Sequence, residues 1–376
     1  MMKECKVDVL INGRHVGTLA ETAGHKVAFA YTDDWIKDGF AISPFSLPPE
    51  KTVFIPSKQT FLGLWGIFAD NLPDSWGRLL MDRMLLDKRH NPDEISELER
   101  LLIIGNSGIG ALSYHPAWEN RSSPLLEDLD VLCEKCCNIL QHQNIRDLDE
   151  LFRLGGSSGG ARPKVMTDEW IIKFPASREM QDVGLMEKEY MDCATACSIL
   201  VPETKLMPSR RCAGYFAIRR FDRENNNGII TRRHVLTAAA ILEANWRTGT
   251  MDYHTLMKLT NILSRSNKDD LIQMYRRMCF NVFAHNRDDH LKNFSWIYDA
   301  RLDSWHLSPA YDLTWSTTWF GEHTLSVNGN SRNPGMEELI AVGTAAGIPN
   351  RTCKQIAEKI RDLTAPLEEK YRNTRS

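Results

Sequence analysis

The sequence predicts an α+β fold in which a small β-rich part precedes a larger helical part. Apolar and polar residues alternate between positions 5 and 31, and short strand-like runs return between 165 and 221, a pattern typical of half-buried strands. From Thr237 onward, apolar residues recur with helical spacing. The 376 residues, 42% of them hydrophobic, can bury a sizeable core in two or three compact units.

The first segment, residues 1–117, is predicted to form an α+β unit. It begins with a hairpin around Asn12-Gly13, because this pair tolerates the positive φ angles of a tight turn. Thr32 and its acidic neighbours suit a helix N-terminus, and Pro73-Asp74 suits a second one. Residues 118–150 are predicted to be a mostly helical connector.

The next segment, residues 151–224, is predicted to be β-rich. A glycine/serine loop at residues 155–160 precedes an apolar strand around Val165 and another over 170–174. We therefore interpret the loop as the tip of a hairpin between strands. A helix is predicted over residues 183–199.

The last segment, residues 225–376, is predicted to be helical apart from an irregular island between Phe283 and Ser316. Its end, Lys354–Ser376, has the pattern of a charged amphipathic helix with a basic tail. We expect the charged face of this helix to be solvated.

Composition excludes several classes of protein. A formal net charge of -3 provides no overall positive field for holding nucleic acid. Nine irregularly spaced cysteines do not resemble a disulfide framework and favour a reducing compartment. We expect no signal peptide, because the apolar run before Asn12-Gly13 is short, and no membrane span, because no apolar run reaches the length that one needs. We expect a cytoplasmic protein without a membrane partner.

The glycine/serine loop is a candidate phosphate site. Gly159 and Gly160, with Ser157 and Ser158, would let backbone N–H groups approach an anion closely. The loop is not a Walker motif, since Ala-Arg follows it. Such a loop is more often a simple hairpin turn, but Lys164 just beyond it could reach a bound phosphate.

A sharper signal is the spacing of Asp288 and Asn293, with four residues between them. Protein-kinase catalytic loops use this spacing so that the aspartate accepts a hydroxyl proton while the asparagine reaches Mg²⁺. Asp312 follows where a second Mg²⁺ ligand is needed. Upstream, Lys173 ends an apolar strand as a lysine that binds ATP phosphates would, and Glu189 on the next helix could pair with it. The order of these features favours phosphotransfer from ATP.

At these residues the sequence resembles the HipA family of bacterial serine/threonine kinases, the toxins of type II toxin–antitoxin modules. The resemblance covers nearly the whole chain. The motifs that carry it are VDVLINGRHVGTL (7–19), FADNLPD (68–74), SSGGARPK (157–164), IIK (171–173), EY (189–190), RFDR (220–223), RDDHLKNFS (287–295) and AYDL (310–313).

The resemblance implies a two-lobed protein-kinase-like fold, with a HipA-like N-terminal subdomain over 1–117, a β-rich N-lobe over 151–224 and a helical C-lobe over 225–376. It implies that Ser157 is autophosphorylated, that Lys173 binds nucleotide phosphates and that Asp288 is the catalytic base. It also implies that Lys292 lies near the γ-phosphate and that Asn293 and Asp312 bind Mg²⁺. The implied partners are a protein substrate, by resemblance a component of translation, and a helix-turn-helix, HipB-like antitoxin. The resemblance implies contact with DNA only indirectly, through that antitoxin.

Two other functions stay open from the sequence. A small-molecule kinase with the same lobes would use the same ATP-binding residues. A non-catalytic interaction module could keep the scaffold, although the presence of Lys173, Asp288, Asn293 and Asp312 disfavours this alternative. The N-terminal segment, which typical small-molecule kinases lack, favours the protein kinase.

Overall fold

The computed structural model describes residues 6–22, 24–118, 128–141, 148–157, 159–176, 182–247, 251–318 and 320–372. The chain forms two compact units. The first contains residues 1–184 and 206–245, and the second contains residues 185–205 and 246–376. The predicted segments 1–117 and 118–150 both fall within the first unit.

The strands in chain order are β1 (Lys6–Ile11), β2 (Arg14–Glu21), β3 (Val27–Tyr31), β4 (Val53–Phe54), β5 (Leu112–His115), β6 (Lys164–Met166), β7 (Trp170–Lys173), β8 (Thr204–Met207), β9 (Tyr215–Arg219), β10 (Arg223–Asn226), β11 (Ile229–Arg232), β12 (Val235–Thr237), β13 (Met251–Asp252), β14 (Ser295–Asp299), β15 (Ser304–Leu307) and β16 (Leu325–Ser326). The α-helices are α1 (Asp33–Asp38), α2 (Gly66–Ala69), α3 (Ser75–Asp87), α4 (Glu97–Ile104), α5 (Leu129–Leu140), α6 (Leu148–Gly155), α7 (Val183–Ala196), α8 (Ala238–Ile241), α9 (Tyr253–Leu263), α10 (Lys268–Phe283), α11 (Met336–Ala345) and α12 (Asn350–Arg372). Among the described residues, 3-10 helices cover Pro92–Glu94 and Leu291–Asn293.

The first unit opens with a five-stranded sheet of order β4-β3-β2-β1-β5. Asn12 and Gly13 have φ angles of +47° and +83°, so they form the predicted tight turn between β1 and β2. Alternate residues of β1 are buried, which places its apolar face on the core. Thr32 caps α1 through its side chain and Asp74 is the residue before α3, as the sequence predicts.

The second sheet of this unit has the order β6-β7-β9-β8. The helix α6 ends at Gly155 and the chain then passes through the glycine/serine loop into β6. The interpretation of this loop as a hairpin tip is therefore wrong: it joins a helix to a strand. Residues 148–155 bury Leu151, Phe152 and Leu154 on one face, and this helical spacing outweighs the β-like context of the glycines.

The second unit is mainly helical. Helices α9, α10, α11 and α12 bury a shared apolar core that includes Leu256, Tyr275, Phe280 and Ile360. From Leu185 on, α7 belongs to this unit, and the Tyr190 hydroxyl donates to the Ala284 carbonyl oxygen at 2.9 Å. Within the described ranges, no helix is both long and apolar enough to cross a membrane.

Candidate active-site residues

The glycine/serine loop lies in the first unit and is fixed on both sides by hydrogen bonds. Ser157 is buried, and its hydroxyl donates to the carbonyl oxygen of Ser107 at 2.9 Å. Gly160 donates its N–H to the carboxylate of Asp74. Its φ of +85° lies in the left-handed region that favours glycine, so this position requires that residue type. Ser158 lies outside the described residues.

Two lysines share one face of the sheet beside this loop. Lys164 of β6 and Lys173 of β7 are directly opposite each other in the antiparallel pair, so their side chains leave the sheet on the same side. Lys164 is buried and donates to the carbonyl oxygen of Gly159, and Lys173 Nζ lies 5.6 Å from the ring centroid of Phe216. A sheet face that carries two ammonium groups favours an anionic ligand.

Sequence reasoning missed a buried ionic cluster in the same unit. Asp222 accepts from Arg220 at 2.8 Å and from Arg223 at 2.6 Å. Burial alone would raise the pKa of Asp222, but the two arginines outweigh it and hold the pKa well below its ordinary value. Arg223 and Arg232 also donate to backbone carbonyl oxygens within residues 108–110. The Arg-x-Asp-Arg spacing at residues 220–223 could have indicated this cluster. Its role is to stabilise the fold.

In the second unit, the loop after α10 carries the predicted catalytic residues. Asp288 keeps 62% of its side-chain surface exposed. Its backbone N–H donates to the hydroxyl of Ser316 at 2.8 Å, and its carbonyl oxygen accepts from Asn293 Nδ2 at 2.8 Å. The spacing of four residues thus lets Asn293 fold back onto the loop. Its Oδ1 is the atom through which it would bind a metal.

Asp312, which follows this loop along the chain, concentrates negative charge near Asp288. Partial burial raises the pKa of Asp288; His290 lowers it, while the carboxylates of Asp312 and Asp289 raise it further. Asp312 has a φ of +53°, an uncommon conformation for a residue other than glycine and one often found at functional sites.

The oxygen donors of Asn293 and Asp312 fit a hard divalent cation. Mg²⁺ typically takes one or two protein ligands together with phosphate oxygens and waters, and a cation here would offset the repulsion between the Asp288 and Asp312 carboxylates. In the part of the chain that the structure describes, no three His, Cys, Asp or Glu side chains form a metal-holding group. A site at these residues would therefore depend on phosphate oxygens as well.

Lys292 lies against an aromatic ring next to this loop. Its Nζ is 5.6 Å from the ring centroid of Trp246, a cation–π distance. The His290 ring packs against the same tryptophan in a tilted arrangement, with centroids 4.5 Å apart and an interplanar angle of 49°. The backbone carbonyl oxygen of Lys292 accepts a hydrogen bond from the Tyr311 hydroxyl at 2.8 Å. These contacts restrict the positions that the ammonium group can take.

Glu189 has partners other than the predicted Lys173. Its carboxylate accepts from Lys370 Nζ at 2.7 Å and from the Tyr371 hydroxyl at 2.6 Å, both on α12. Partial burial raises the pKa of Glu189, but these hydrogen bonds outweigh it and the pKa is lowered. The charged face of α12 is solvated, as expected, because the side chains of Lys354, Lys370 and Arg372 are exposed. Tyr371 lies on the buried apolar face of the same helix.

The residue types of the two units are those of a phosphotransferase: a glycine/serine loop with two lysines in one, and an Asp-x4-Asn loop with a later aspartate in the other. Two family models match the sequence. The HipA N-terminal domain matches residues 7–115 and the HipA-like C-terminal domain matches residues 156–366. The chain belongs to the HipA family.

Two known proteins extend this comparison. "Putative kinase Y4dM" of Sinorhizobium fredii (strain NBRC 101917 / NGR234) is 26% identical over 353 residues, which are 87% of this chain and 81% of that protein. A chain of the Shewanella oneidensis MR-1 complex of HipA, HipB and its operator DNA superposes with a TM-score of 0.71 at 17% identity, over 97% of this chain and 90% of that chain. The predicted fold class, α+β of the HipA type, is confirmed.

Proposed function

We propose that this protein is an ATP- and Mg²⁺-dependent serine/threonine protein kinase of the HipA type. The observation that carries the proposal is the loop in which Asp288 is exposed and Asn293 folds back onto its backbone. This is the arrangement that D-x4-N spacing serves in kinase catalytic loops. Membership of the HipA family and the similarity to a protein named as a kinase support it.

The predicted residues other than Ser158 and Glu189 have a role in this proposal. Lys173 binds the α- and β-phosphates of ATP, and Lys164 with Gly159 and Gly160 fixes the loop that approaches them. Asn293 and Asp312 would hold Mg²⁺, which when bound supplies positive charge to the phosphate oxygens. Glu189, given its bonds to α12, is removed from the nucleotide-binding set.

The reaction transfers the γ-phosphoryl group to a hydroxyl. The serine or threonine oxygen bonds to the γ-phosphorus while the bond from that phosphorus to the β,γ-bridging oxygen breaks, and ADP leaves with the electron pair. Asp288 accepts the hydroxyl proton, and its exposure leaves room for an acceptor side chain. Lys292 offsets charge on the transferred group. Ser157 is one such acceptor, and a cellular protein, by resemblance one of translation, is the other.

The proposed regulatory partner is a helix-turn-helix antitoxin that would link this protein to DNA indirectly. Support comes from the Shewanella oneidensis complex, which contains HipB and operator DNA together with HipA. Two experiments test this partner: co-purification of this protein with the product of an adjacent small gene, and a further shift of the antitoxin–operator complex by this protein, which should not shift operator DNA by itself.

The test of the kinase activity is incubation of the full chain with Mg²⁺ and γ-labelled ATP, followed by mass spectrometry of the 155–164 peptide. We expect label on Ser157 in the wild type and none in Asp312→Ala. Asp288→Asn should lower the rate by about 10²–10⁴-fold, the usual contribution of a general base. Nucleotide binding without label on any protein would instead favour a small-molecule kinase, and Asp288→Asn at wild-type rate would remove Asp288 from the mechanism.

A further inference from the structure

The aspartate that follows Asp288 faces the protein interior. Asp289 is fully buried, and its carboxylate accepts four hydrogen bonds. The donors are the Tyr253 hydroxyl at 2.8 Å, His323 Nδ1 at 3.1 Å, and the backbone N–H groups of Thr324 at 2.9 Å and Leu325 at 3.2 Å. Two carboxylate oxygens offer about four acceptor positions, so this buried group is fully satisfied.

These donors come from two separate parts of the second unit. Tyr253 begins α9, whereas residues 323–325 follow Asp312 along the chain and lead into β16. The latter segment is also tied directly to the catalytic loop, since Thr324 donates from its N–H and its hydroxyl to the carbonyl oxygen of Arg287 at 3.0 Å and 3.1 Å. The single carboxylate of Asp289 therefore joins the catalytic loop, α9 and the segment beyond Asp312.

A chain of polar groups continues from Tyr253 back to Asp288; Tyr253, Asn281 and Asn286 are buried, whereas Ser316 is partly exposed. Asn281 Nδ2 donates to the Tyr253 hydroxyl at 2.9 Å, and Asn281 Oδ1 accepts from Asn286 Nδ2 at 3.0 Å. Asn286 Oδ1 accepts from the Ser316 hydroxyl at 3.5 Å, and that hydroxyl accepts the Asp288 N–H at 2.8 Å. With the peptide bond between the two aspartates, these contacts close a ring. We name it the Asp289 ring; its members are Tyr253, Asn281, Asn286, Asp288, Asp289 and Ser316.

We propose that Asp289 is a positioning residue for phosphoryl transfer, which acts by holding the backbone of Asp288 in one conformation through this ring. The inference rests on the proposed function, in which Asp288 is the base. The four buried members, Tyr253, Asn281, Asn286 and Asp289, lie in a low local dielectric that strengthens their hydrogen bonds and makes the loss of one partner costly. A displacement of about 1 Å in a reacting group can lower a rate by about 10²-fold. We therefore expect a break in the ring to lower the rate of phosphoryl transfer more than it weakens ATP binding.

The test compares Asp289→Asn, Tyr253→Phe and Ser316→Ala in the full chain with γ-labelled ATP. We expect the maximal rate of labelling to fall by about 10²-fold in Asp289→Asn and about 10-fold in the milder variants, with the ATP concentration at half-maximal rate within about threefold of wild type. One substitution is enough to open the ring. The labelling rate of the double variant Tyr253→Phe/Ser316→Ala should therefore be only slightly lower than that of the slower single variant.

The matched control is Tyr275→Phe, which removes a buried tyrosine hydroxyl in the same unit that donates to the Cys353 carbonyl oxygen at 3.2 Å. Amide hydrogen exchange of the 285–293 peptide adds a readout that requires no kinase activity. Exchange should accelerate in Tyr253→Phe and Ser316→Ala but not in Tyr275→Phe. If the wild type transfers no label, the proposed function fails. Hydrogen exchange then still tests whether the Asp289 ring holds the backbone of Asp288. Exchange and labelling in the ring variants equal to those in Tyr275→Phe would overturn the inference.

Discussion

His234 is a histidine whose surroundings keep it neutral. It is buried in the first unit, and its Nε2 donates to the carbonyl oxygen of Ile42 at 2.8 Å. Burial lowers the pKa of His234 from 6.5 to about 4, although the hydrogen bond to Ile42 opposes this shift. The unfolded chain therefore binds a proton at pH values where the folded chain does not.

The sign of the resulting pH dependence follows from linkage. Neutral His234 contributes fully to the free energy of unfolding above pH 6.5, and this contribution is lost as the pH falls toward 4. We therefore expect the free energy of unfolding to fall by about 2 kcal/mol between pH 7 and pH 5. Urea unfolding at both pH values measures it. His234→Gln should show a shallower dependence, whereas His25→Gln, at an exposed histidine, should match the wild type. Equal slopes in wild type and His234→Gln would contradict the explanation.

Among the elements, the glycine/serine loop links the proposed chemistry to its regulation. The hydroxyl of Ser157 donates to the Ser107 carbonyl oxygen, and a phosphorylated serine cannot repeat that bond because the phosphate oxygens are acceptors. Phosphorylation also adds about two negative charges to a loop beside Lys164 and Lys173. The modified loop would thus compete with ATP phosphates for the same positive charge.

Ser157→Asp should reproduce part of this effect. We expect its affinity for ATP to fall on the order of tenfold, about 1.4 kcal/mol, because a carboxylate replaces a donor beside a carbonyl oxygen and repels the nucleotide phosphates. Titration with a fluorescent ATP analogue measures the dissociation constant. Ser157→Ala, which removes the hydroxyl without adding charge, should bind ATP within a few-fold of wild type. Equal affinities in the two variants would show that charge at this position has no effect on binding.

The elements also show which features a sequence encodes locally. The turn at Asn12-Gly13 and the start of α3 after Asp74 were predictable, because turn and cap preferences depend on neighbouring residues. The loop 155–160 is not the hairpin tip that its glycines suggest. The eight residues of α6 that precede it are too few to give a strong helical pattern. The Asp-x4-Asn motif could be found because its two residues lie on one loop.

Side-chain partners across long sequence separations could not be predicted. Glu189 and Lys370 are 181 residues apart, and Asp289 and Tyr253 are 36 apart. Periodicity identifies the elements that carry such residues, but tertiary packing decides which donor meets which acceptor. This is why the sequence predicts a pair between Glu189 and Lys173 that the structure does not form, and why it indicates no role for Asp289.

At the scale of the whole molecule, the N-terminal region and the start of the C-terminal family domain share one core. A cluster of buried side chains joins Trp76 of α3 and Ile103 of α4 to Val165 and Ile172 of the second sheet. The predicted boundary at residue 117 thus separates two sequence segments that fold as one unit. Burial of these apolar groups is shared, so neither segment keeps its full core without the other.

The buried ionic cluster at Asp222 belongs to the same unit and links the same two segments. The carboxylate accepts from Arg220 and Arg223, and it also accepts the backbone N–H of Gly110 from the N-terminal segment at 2.9 Å. Removing one partner of a buried ion pair leaves the remaining charges uncompensated, which costs about 3–5 kcal/mol. We therefore expect Asp222→Asn to destabilise the whole first unit and not only the residues around it.

Urea unfolding of the full chain, followed by hydrogen exchange of peptides from both segments, measures this effect. In Asp222→Asn, peptides from residues 7–115 and from 164–174 should lose protection together, at a lower urea concentration than in the wild type. Glu224→Gln makes the same chemical change at an exposed position two residues away and should stay within about 0.5 kcal/mol of wild type. Loss of protection confined to residues 215–235 would mean that the two segments are stabilised independently, and that the cluster is a local contact within the β-rich part.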